Sequence, residues 1–233
     1  MNIVITGASK GIGFHTALLL SDQEHSVVAI SRNKKNLQNL QELSKKRNSS
    51  TKLVTLACDI SDEGVMSKIT DEIKSQFKHL DVLINNAGVL INKPFSELQI
   101  KDWMNVFSTN VFGAVNVTKN LLPLMSEGSH IVNISSMGGF QGSVKFNGLS
   151  AYSSSKAALV NLSECLAEEL KDRKIAVNCL CLGSVQTEMF SEAFPGMKAA
   201  LTEEEMAKFI ARFSTENQHF FNGMVIPVSN STP

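Results

Sequence analysis

The sequence predicts an α/β protein: one domain built on a doubly wound parallel sheet of about seven strands, with helices on both faces. Three observations predict it. Short β-rich apolar runs alternate with helical patterns from the second residue onward. The runs are apolar throughout, as strands buried on both faces are, and the stretches between them suit crossover connections. No repeat, low-complexity segment or proline- and glycine-rich linker divides the 233 residues.

Asn2 to Thr6 reads as the first strand and Gly11 to Leu20 as the helix after it. Ser26 to Ser31 is the second strand, and Lys34 to Lys46 carries Leu37, Leu40 and Leu43 at helical spacing. Lys52 to Ala57 is a strand, Asp62 to Phe77 a helix, and Asp81 to Asn85 a strand. Beyond Trp103 a long helical pattern runs to about Met125. His130 to Ser135 is then a strand, Tyr152 to Lys171 a helix, Ile175 to Leu182 a strand and Gly223 to Val228 the last strand. A chain of this length forms a full core without staples.

Hydrophobic residues make up 43% of the chain and charged ones 19%, with 22 Lys+Arg against 22 Asp+Glu. That balance gives no electrostatic reason to expect nucleic acid or an anionic membrane as partner. The basic run Lys45-Lys46-Arg47 ends in Asn48-Ser49-Ser50 and reads as a solvated helix end. The N-terminus has no charged and long apolar leader, and no stretch reaches the ~18 apolar residues of a membrane span, so a soluble, cytoplasmic protein is expected. Cys58, Cys165, Cys179 and Cys181 stand in apolar contexts without a C-x-x-C, and the five histidines are scattered. Cys179 and Cys181 share one strand face and read as small buried hydrophobes. No metal site is expected.

Thr6-Gly7-Ala8-Ser9-Lys10-Gly11-Ile12-Gly13 follows a strand and opens a helix, the context of a dinucleotide-binding turn in a Rossmann-like fold, although the spacing is G-x-x-x-G-x-G. Gly7 permits a tight turn, Gly11 close approach of a pyrophosphate, and Gly13 close helix packing. The helix N-terminus then offers unpaired N–H groups to phosphate. Where an NAD-selective site usually places an acid after the second strand, this chain has Ser31-Arg32. Arg32, with Lys10 in the turn, suits a 2′-phosphate, which predicts NADP(H) over NAD(H).

Together with Asn85-Asn86-Ala87-Gly88, Asn133-Ile134-Ser135-Ser136 and Tyr152-Ser153-Ser154-Ser155-Lys156, this turn resembles the short-chain dehydrogenase/reductases, from Ile3 to about Thr187. Tyr152 and Lys156 are four apart on a helix, so the ammonium lies near the phenol and favours its ionised form. Tyr152, the single tyrosine of the chain, is the expected general acid in reduction and base in oxidation.

The resemblance implies that Ser136 steadies the substrate oxygen, with Ser135 the nearest alternative. It implies that Asn110 interrupts the central helix and holds a water leading to Lys156. It places Asp59 and Ile60 at the adenine, Asn86, Ala87 and Gly88 along the ribose, and Val185 and Thr187 at the nicotinamide carboxamide. Ser9, Ile12 and Gly183 complete the expected cofactor site. Asp59 can equally be a cap or turn former, and Thr187 the N-cap of a helix beginning near Glu188.

Departures from the family pattern are Leu182-Gly183 in place of Pro-Gly, a longer segment from Met137 to Ala151, and a short polar C-terminus ending Ser229-Asn230-Ser231-Thr232-Pro233. Phe140, Phe146, Met189, Phe190, Phe194 and Met197 would flank the substrate or pack the core.

The expected division is a nucleotide-binding half over about 1–90 and catalytic and substrate segments over about 100–213. The expected activity is reduction of a ketone or aldehyde, or oxidation of the alcohol, by hydride transfer with NADP(H). A non-catalytic NADP(H)-binding sensor or scaffold is the competing reading. Sugar-nucleotide epimerisation or dehydration would need a larger C-terminal domain. The resemblance also implies a homodimer or homotetramer through the helices Trp103 to Met125 and Tyr152 to Lys171.

Overall fold

A computed structural model describes residues 1–48, 50 and 52–230. Ser49 of the polar run and Ser231, Thr232 and Pro233 of the C-terminal stretch therefore lie outside the described residues, as does Thr51. The strands are β1 (Asn2–Thr6), β2 (Ser26–Ser31), β3 (Lys52–Ala57), β4 (Val82–Asn85), β5 (His130–Ser136), β6 (Ala176–Leu182), β7 (Val185–Gln186), β8 (Leu201–Thr202) and β9 (Val225–Val228). Seven of them form one sheet in the order β3-β2-β1-β4-β5-β6-β9, every neighbouring pair parallel. The chain steps outward from β1 to β3 and returns to place β4 on the other side of β1. Strand order reverses there, so a crevice opens beyond the carboxyl ends of β1 and β4.

The helices are α1 (Gly11–Asp22), α2 (Lys34–Arg47), α3 (Glu63–Gln76), α4 (Ile100–Phe107), α5 (Gly113–Leu121), α6 (Ser150–Glu169), α7 (Glu188–Ala193) and α8 (Glu203–Glu216). Within β1, Ile3 and Ile5 enter the core beneath α1, α2 and α8, while Val4 enters the core beneath α3, α5 and α6. The period-two alternation thus feeds two cores, which is why the strands carry no polar face.

The helical pattern from Trp103 to about Met125 is interrupted at Asn110, the break that the resemblance implied: α4 ends at Phe107, a π turn spans Ser108–Phe112, and α5 begins at Gly113. Asn110 is turned inward there, and Gly113 packs so closely that a Cβ would lie 2.7 Å from Ile60 Cδ1. Such single π turns accommodate an extra residue where a side chain must be re-aimed. Cys165, read as apolar in context, lies exposed on α6, whereas Cys58, Cys179 and Cys181 are buried.

The segment after Thr187 also holds more structure than the sequence pattern indicated. α7 is capped by Thr187, whose hydroxyl accepts from Phe190 N–H at 2.9 Å. α8 buries Met206, Ala207, Ile210, Ala211 and Phe213, which makes it part of the core wall. Its signal is Thr202-x-x-Glu205, a reciprocal capping box, followed by apolar residues at helical spacing.

His130 is fully buried at the start of β5. Its Nδ1 lies 3.1 Å from the Ser214 carbonyl and its Nε2 2.9 Å from Asn178 Nδ2, so the network fixes a neutral ring that donates to Ser214 and accepts from Asn178. Burial lowers its pKa to about 4, against the opposing pull of the Ser214 carbonyl. The folded pKa lies below the ordinary 6.5, so the unfolded chain binds the extra proton and stability is lost as pH falls from 6.5 toward 4. Urea titrations at pH 7 and pH 5 are expected to show about 2 kcal/mol of loss from this residue. His130→Asn should flatten that slope; an unchanged slope would remove His130 as its source.

Candidate active site

The glycine turn closes the crevice at the end of β1. Gly7 has φ +71°, and a Cβ there would sit 2.7 Å from Ala87 Cα, so backbone meets backbone across the β1–β4 junction. A Cβ on Gly13 would press on the Asn86 amide and lie 2.5 Å from the Gly7 carbonyl oxygen. Asn86 Nδ2 donates to the Thr6 and Gly7 carbonyls at 3.0 and 3.3 Å, and the amides of Asn86 and Ala87 both donate to Thr6 Oγ1 at 3.1 Å. The N-cap residue of α1, Lys10, makes no side-chain cap bond, which leaves first-turn N–H groups without a side-chain acceptor.

Ser9, Lys10, Gly11, Ile12, Arg32, Asp59, Ile60, Asn86, Ala87, Gly88, Gly183, Val185 and Thr187 all line one cavity of about 420 Å³ with Gly7 and Gly13. Ser31 Oγ donates to Ser9 Oγ at 2.8 Å, tying the turn to the end of β2. Both bases expected at a 2′-phosphate have acidic neighbours: Arg32 lies 3.8 Å from Asp59, and Lys10 donates to Glu188 at 2.6 Å.

Asp59 serves two purposes, because its Oδ1 also accepts from the Ser61 amide and hydroxyl at 3.0 and 2.7 Å. Burial works against its charge, but the Ser61 bonds and Arg32 outweigh it and hold the carboxyl below its ordinary value. Beside it, burial pushes the Cys58 thiol up to about 11, which leaves it inert.

Ser136, Tyr152 and Lys156 meet in the same cavity. Lys156, 4% exposed, donates from Nζ to the Ile134 carbonyl at 2.8 Å and stands 5.9 Å from the Tyr152 ring centre. Ser136 accepts from the Gly138 amide at 3.1 Å, and its hydroxyl, on the Tyr152 side, favours the ionised phenol. Ser135 is committed elsewhere: its hydroxyl donates to the Lys156 carbonyl at 2.8 Å and anchors α6 on β5. Burial brings Lys156 down to about 8, while Cys179 and Cys181 beneath it pull the other way.

Tyr152 departs from expectation. Burial pushes its phenol above the ordinary value, and the Ser136 hydroxyl only partly opposes this. The lowering expected from Lys156 is not what sets the phenol: the net shift is upward, and the phenol is protonated at neutral pH. Such a group is poised to give a proton.

Asn110 is 1% exposed, and all its side-chain bonds face inward. Oδ1 accepts from Val89 N–H at 2.8 Å, and Nδ2 donates to the Val89 carbonyl at 3.0 Å and to Ser155 Oγ at 2.9 Å. Gly88 lies between Asn110 and Lys156: a Cβ there would be 3.3 Å from Lys156 Nζ and 3.4 Å from Asn110 Oδ1. Among the described residues, no group of three or more His, Cys, Asp or Glu gathers at metal-binding spacing.

Of the six apolar residues expected near the substrate, Phe146, Met189, Phe190, Phe194 and Met197 line the cavity, with Phe190 and Phe194 rings 5.3 Å apart. Phe140 instead packs on Met137, Cys179 and Cys181.

Three positioning residues escaped the sequence reading. Thr6 staples β1 to the turn after β4. Ser155 joins Asn110 to the Tyr152 carbonyl; its position three after Tyr152 was the available signal. Asn92 donates to the Ala193 carbonyl at 2.6 Å, a contact across 101 positions that no local pattern announces.

Fold and cleft together define a doubly wound protein with its site at the topological switch point. The family model described as short chain dehydrogenase matches residues 1–198, and the chain belongs to the short-chain dehydrogenase/reductase family of oxidoreductases. It is 33% identical over 185 residues to the ketoacyl reductase HetN of a Nostoc species, covering 78% of this chain and 63% of that protein. The 3-oxoacyl-[acyl-carrier-protein] reductase FabG of Thermotoga maritima is 29% identical over 238 residues, covering 97% of this chain and 94% of the relative. The benzil reductase ((S)-benzoin forming) IRC24 of Saccharomyces cerevisiae is 33% identical over 194 residues, covering 80% and 72%.

In fold, the chain matches a short chain dehydrogenase from Burkholderia cenocepacia solved with NADP, with a TM-score of 0.88 and 23% identity over 98% of this chain and 96% of that one. A 3-ketoacyl-(acyl-carrier-protein) reductase from Brucella melitensis solved with NADH gives 0.84 and 23%, over 97% and 96%. Among the described residues, no helix is long and apolar enough to cross a membrane.

Proposed function

We propose that this oxidoreductase is an NADP(H)-dependent carbonyl reductase, running in reverse as an alcohol dehydrogenase. The observation that carries the proposal is the meeting of Ser136, Tyr152 and Lys156 in the same cavity as the glycine turn. The names of its relatives, reductases of ketoacyl groups and of benzil, support a ketone or aldehyde as substrate. The nucleotide takes the half over about 1–90, and the catalytic and substrate segments lie over about 100–213. We place the protein in the cytoplasm, consistent with four free cysteines.

The residues present fit a dinucleotide. Gly7 and Gly13 leave no room for side chains where turn and helix meet, and a Cβ on Gly11 would touch only the flexible Glu203 carboxylate and Thr187 methyl at 3.5 and 4.0 Å. That face of the turn is open to a pyrophosphate at the α1 N-terminus. Asp59 and Ile60 flank the adenine end, Asn86 to Gly88 the ribose, and Gly183, Val185 and Thr187 the nicotinamide end. When bound, the reduced cofactor supplies a hydride. Tyr152, held neutral by burial, donates its proton to the carbonyl oxygen. Ser136 holds that oxygen as negative charge develops on it. Lys156, with its proton loosened to about pH 8, resupplies Tyr152 and is itself resupplied from the side of Gly88 and Asn110.

Selectivity for NADPH rests on Arg32 and Lys10, which exchange Asp59 and Glu188 for the 2′-phosphate. Arg32→Ala is expected to weaken NADPH binding about tenfold or more and leave NADH binding nearly unchanged, as measured by fluorescence titration. Equal affinity for both nucleotides in the wild type would refute this assignment.

We propose a homodimer or homotetramer through the α4–α5 and α6 faces, supported by the exposed Ile100, Met104 and Phe112. Light scattering should give a mass at least twice that of one chain; a concentration-independent monomer would rule the assembly out.

A further inference from the structure

A second cavity, of about 370 Å³, adjoins the first and is walled by Phe95, Phe146, Leu149, Ala157, Ser150 and Ser153. The two cavities share Gly138, Phe146 and Leu149. A Cβ on Gly138 would stand 2.9 Å from Ser153 Oγ and 3.5 Å from Ser136 Oγ, so the glycine keeps open the space between the reacting site and this chamber. Phe146, also shared, is 49% exposed, in a loop bounded by Gly142 and Gly148, both with positive φ.

The hydroxyls of Ser150 and Ser153 are buried and have no hydrogen-bond partner. Buried polar atoms nearly always have one, and leaving one without is costly. Two such hydroxyls in the wall of one apolar chamber point to a ligand oxygen. The chamber's one cationic wall residue, Lys145, is already engaged with the Phe140 carbonyl at 2.6 Å and Ser143 Oγ at 2.7 Å, so the chamber suits a neutral group.

We propose that this chamber is the second arm of the substrate site. With the carbonyl at Ser136 and Tyr152, one substituent lies among Met189, Phe190 and Phe194, and the other passes Gly138 into the chamber. There an oxygen of that substituent bonds Ser150 and Ser153. The substrate class is a neutral ketone with sizeable apolar groups on both sides of the reacting carbonyl, one of them carrying a second oxygen. The assignment rests on the reductase reading of the same cleft.

The test compares benzil with the analogue in which one phenyl is a methyl. Calorimetry gives binding in the presence of NADP+, which cannot reduce the ketone, and NADPH absorbance gives turnover. Wild type is expected to bind benzil about tenfold tighter than the analogue, in line with burial of one ring. Gly138→Ala narrows the passage and Ala157→Trp fills the chamber from an exposed helix position; each should erase most of that preference. Ser153→Ala should weaken benzil binding while raising the melting temperature, since it removes an unpaired buried hydroxyl; a purely structural serine would lower it. A preference that persists in both Gly138→Ala and Ala157→Trp would overturn the proposal. The predicted binding pattern without any turnover would uphold the chamber and defeat the reductase reading.

Discussion

Tyr152→Phe is expected to lower carbonyl reduction by about a thousandfold while NADPH binding stays within about twofold of wild type. The substitution removes one hydroxyl from a half-buried ring whose position on α6 is fixed by the backbone. The missing atom is the proton donor of the proposed reaction. Ser136 keeps its bond from the Gly138 amide, so the site does not collapse, and the loss falls on the rate of the chemical step. Stopped-flow measurement of NADPH oxidation, with binding followed by fluorescence, separates the two effects. Turnover unaffected by the change would remove Tyr152 from the chemistry. Binding without turnover in the wild type, across ketones, aldehydes and diketones, would favour the sensor reading.

How much of this was legible in the sequence depended on how local each signal was. Short, near-continuous apolar runs marked all seven strands of the main sheet, because burial on both faces leaves its mark in each run. Tyr152 and Lys156 were legible from the ordered set of motifs, to which helical spacing added that both stand on one face. The choice between Ser136 and Ser135 is argued physically by a contact 21 positions away, Ser135 to the Lys156 carbonyl, and no pattern within the strand could supply that. The break at Asn110 was legible from the resemblance alone: Ser108 to Phe112 looks helical by pattern, and the bonds between Asn110 and the Val89 backbone join positions 21 apart. The raised Tyr152 phenol is likewise a property of assembled burial, whereas pair spacing predicts only the effect of the lysine. Glu188 beside Lys10, 178 positions apart, shows the same limit for charges.

Gly13→Ala is expected to be the most damaging small substitution in the nucleotide half. Alanine is the better helix former by about 1 kcal/mol, so helix propensity alone predicts a gain. Packing decides otherwise. The added methyl would lie 2.5 Å from the Gly7 carbonyl oxygen and press on the Asn86 amide, and the Gly7 oxygen belongs to backbone that cannot swing away. Relief requires α1 to move off the β1 turn, which also strains the Asn86 bonds to the Thr6 and Gly7 carbonyls. Against rigid backbone the overpacking cost falls at the upper end, about 3 kcal/mol, and the remaining loss of about 2 kcal/mol after the helix gain corresponds to a fall in melting temperature of roughly 4–8 °C for a chain of this size. NADPH affinity should drop with it, because the α1 N-terminus would leave its place beside the turn. Gly64→Ala is the matched control: it too is a helix glycine, but a Cβ there meets only Asp62 Oδ1 at 3.5 Å, so stability should hold or rise. A melting temperature for Gly13→Ala equal to that of Gly64→Ala would show that the close contact between α1 and the turn does not constrain position 13.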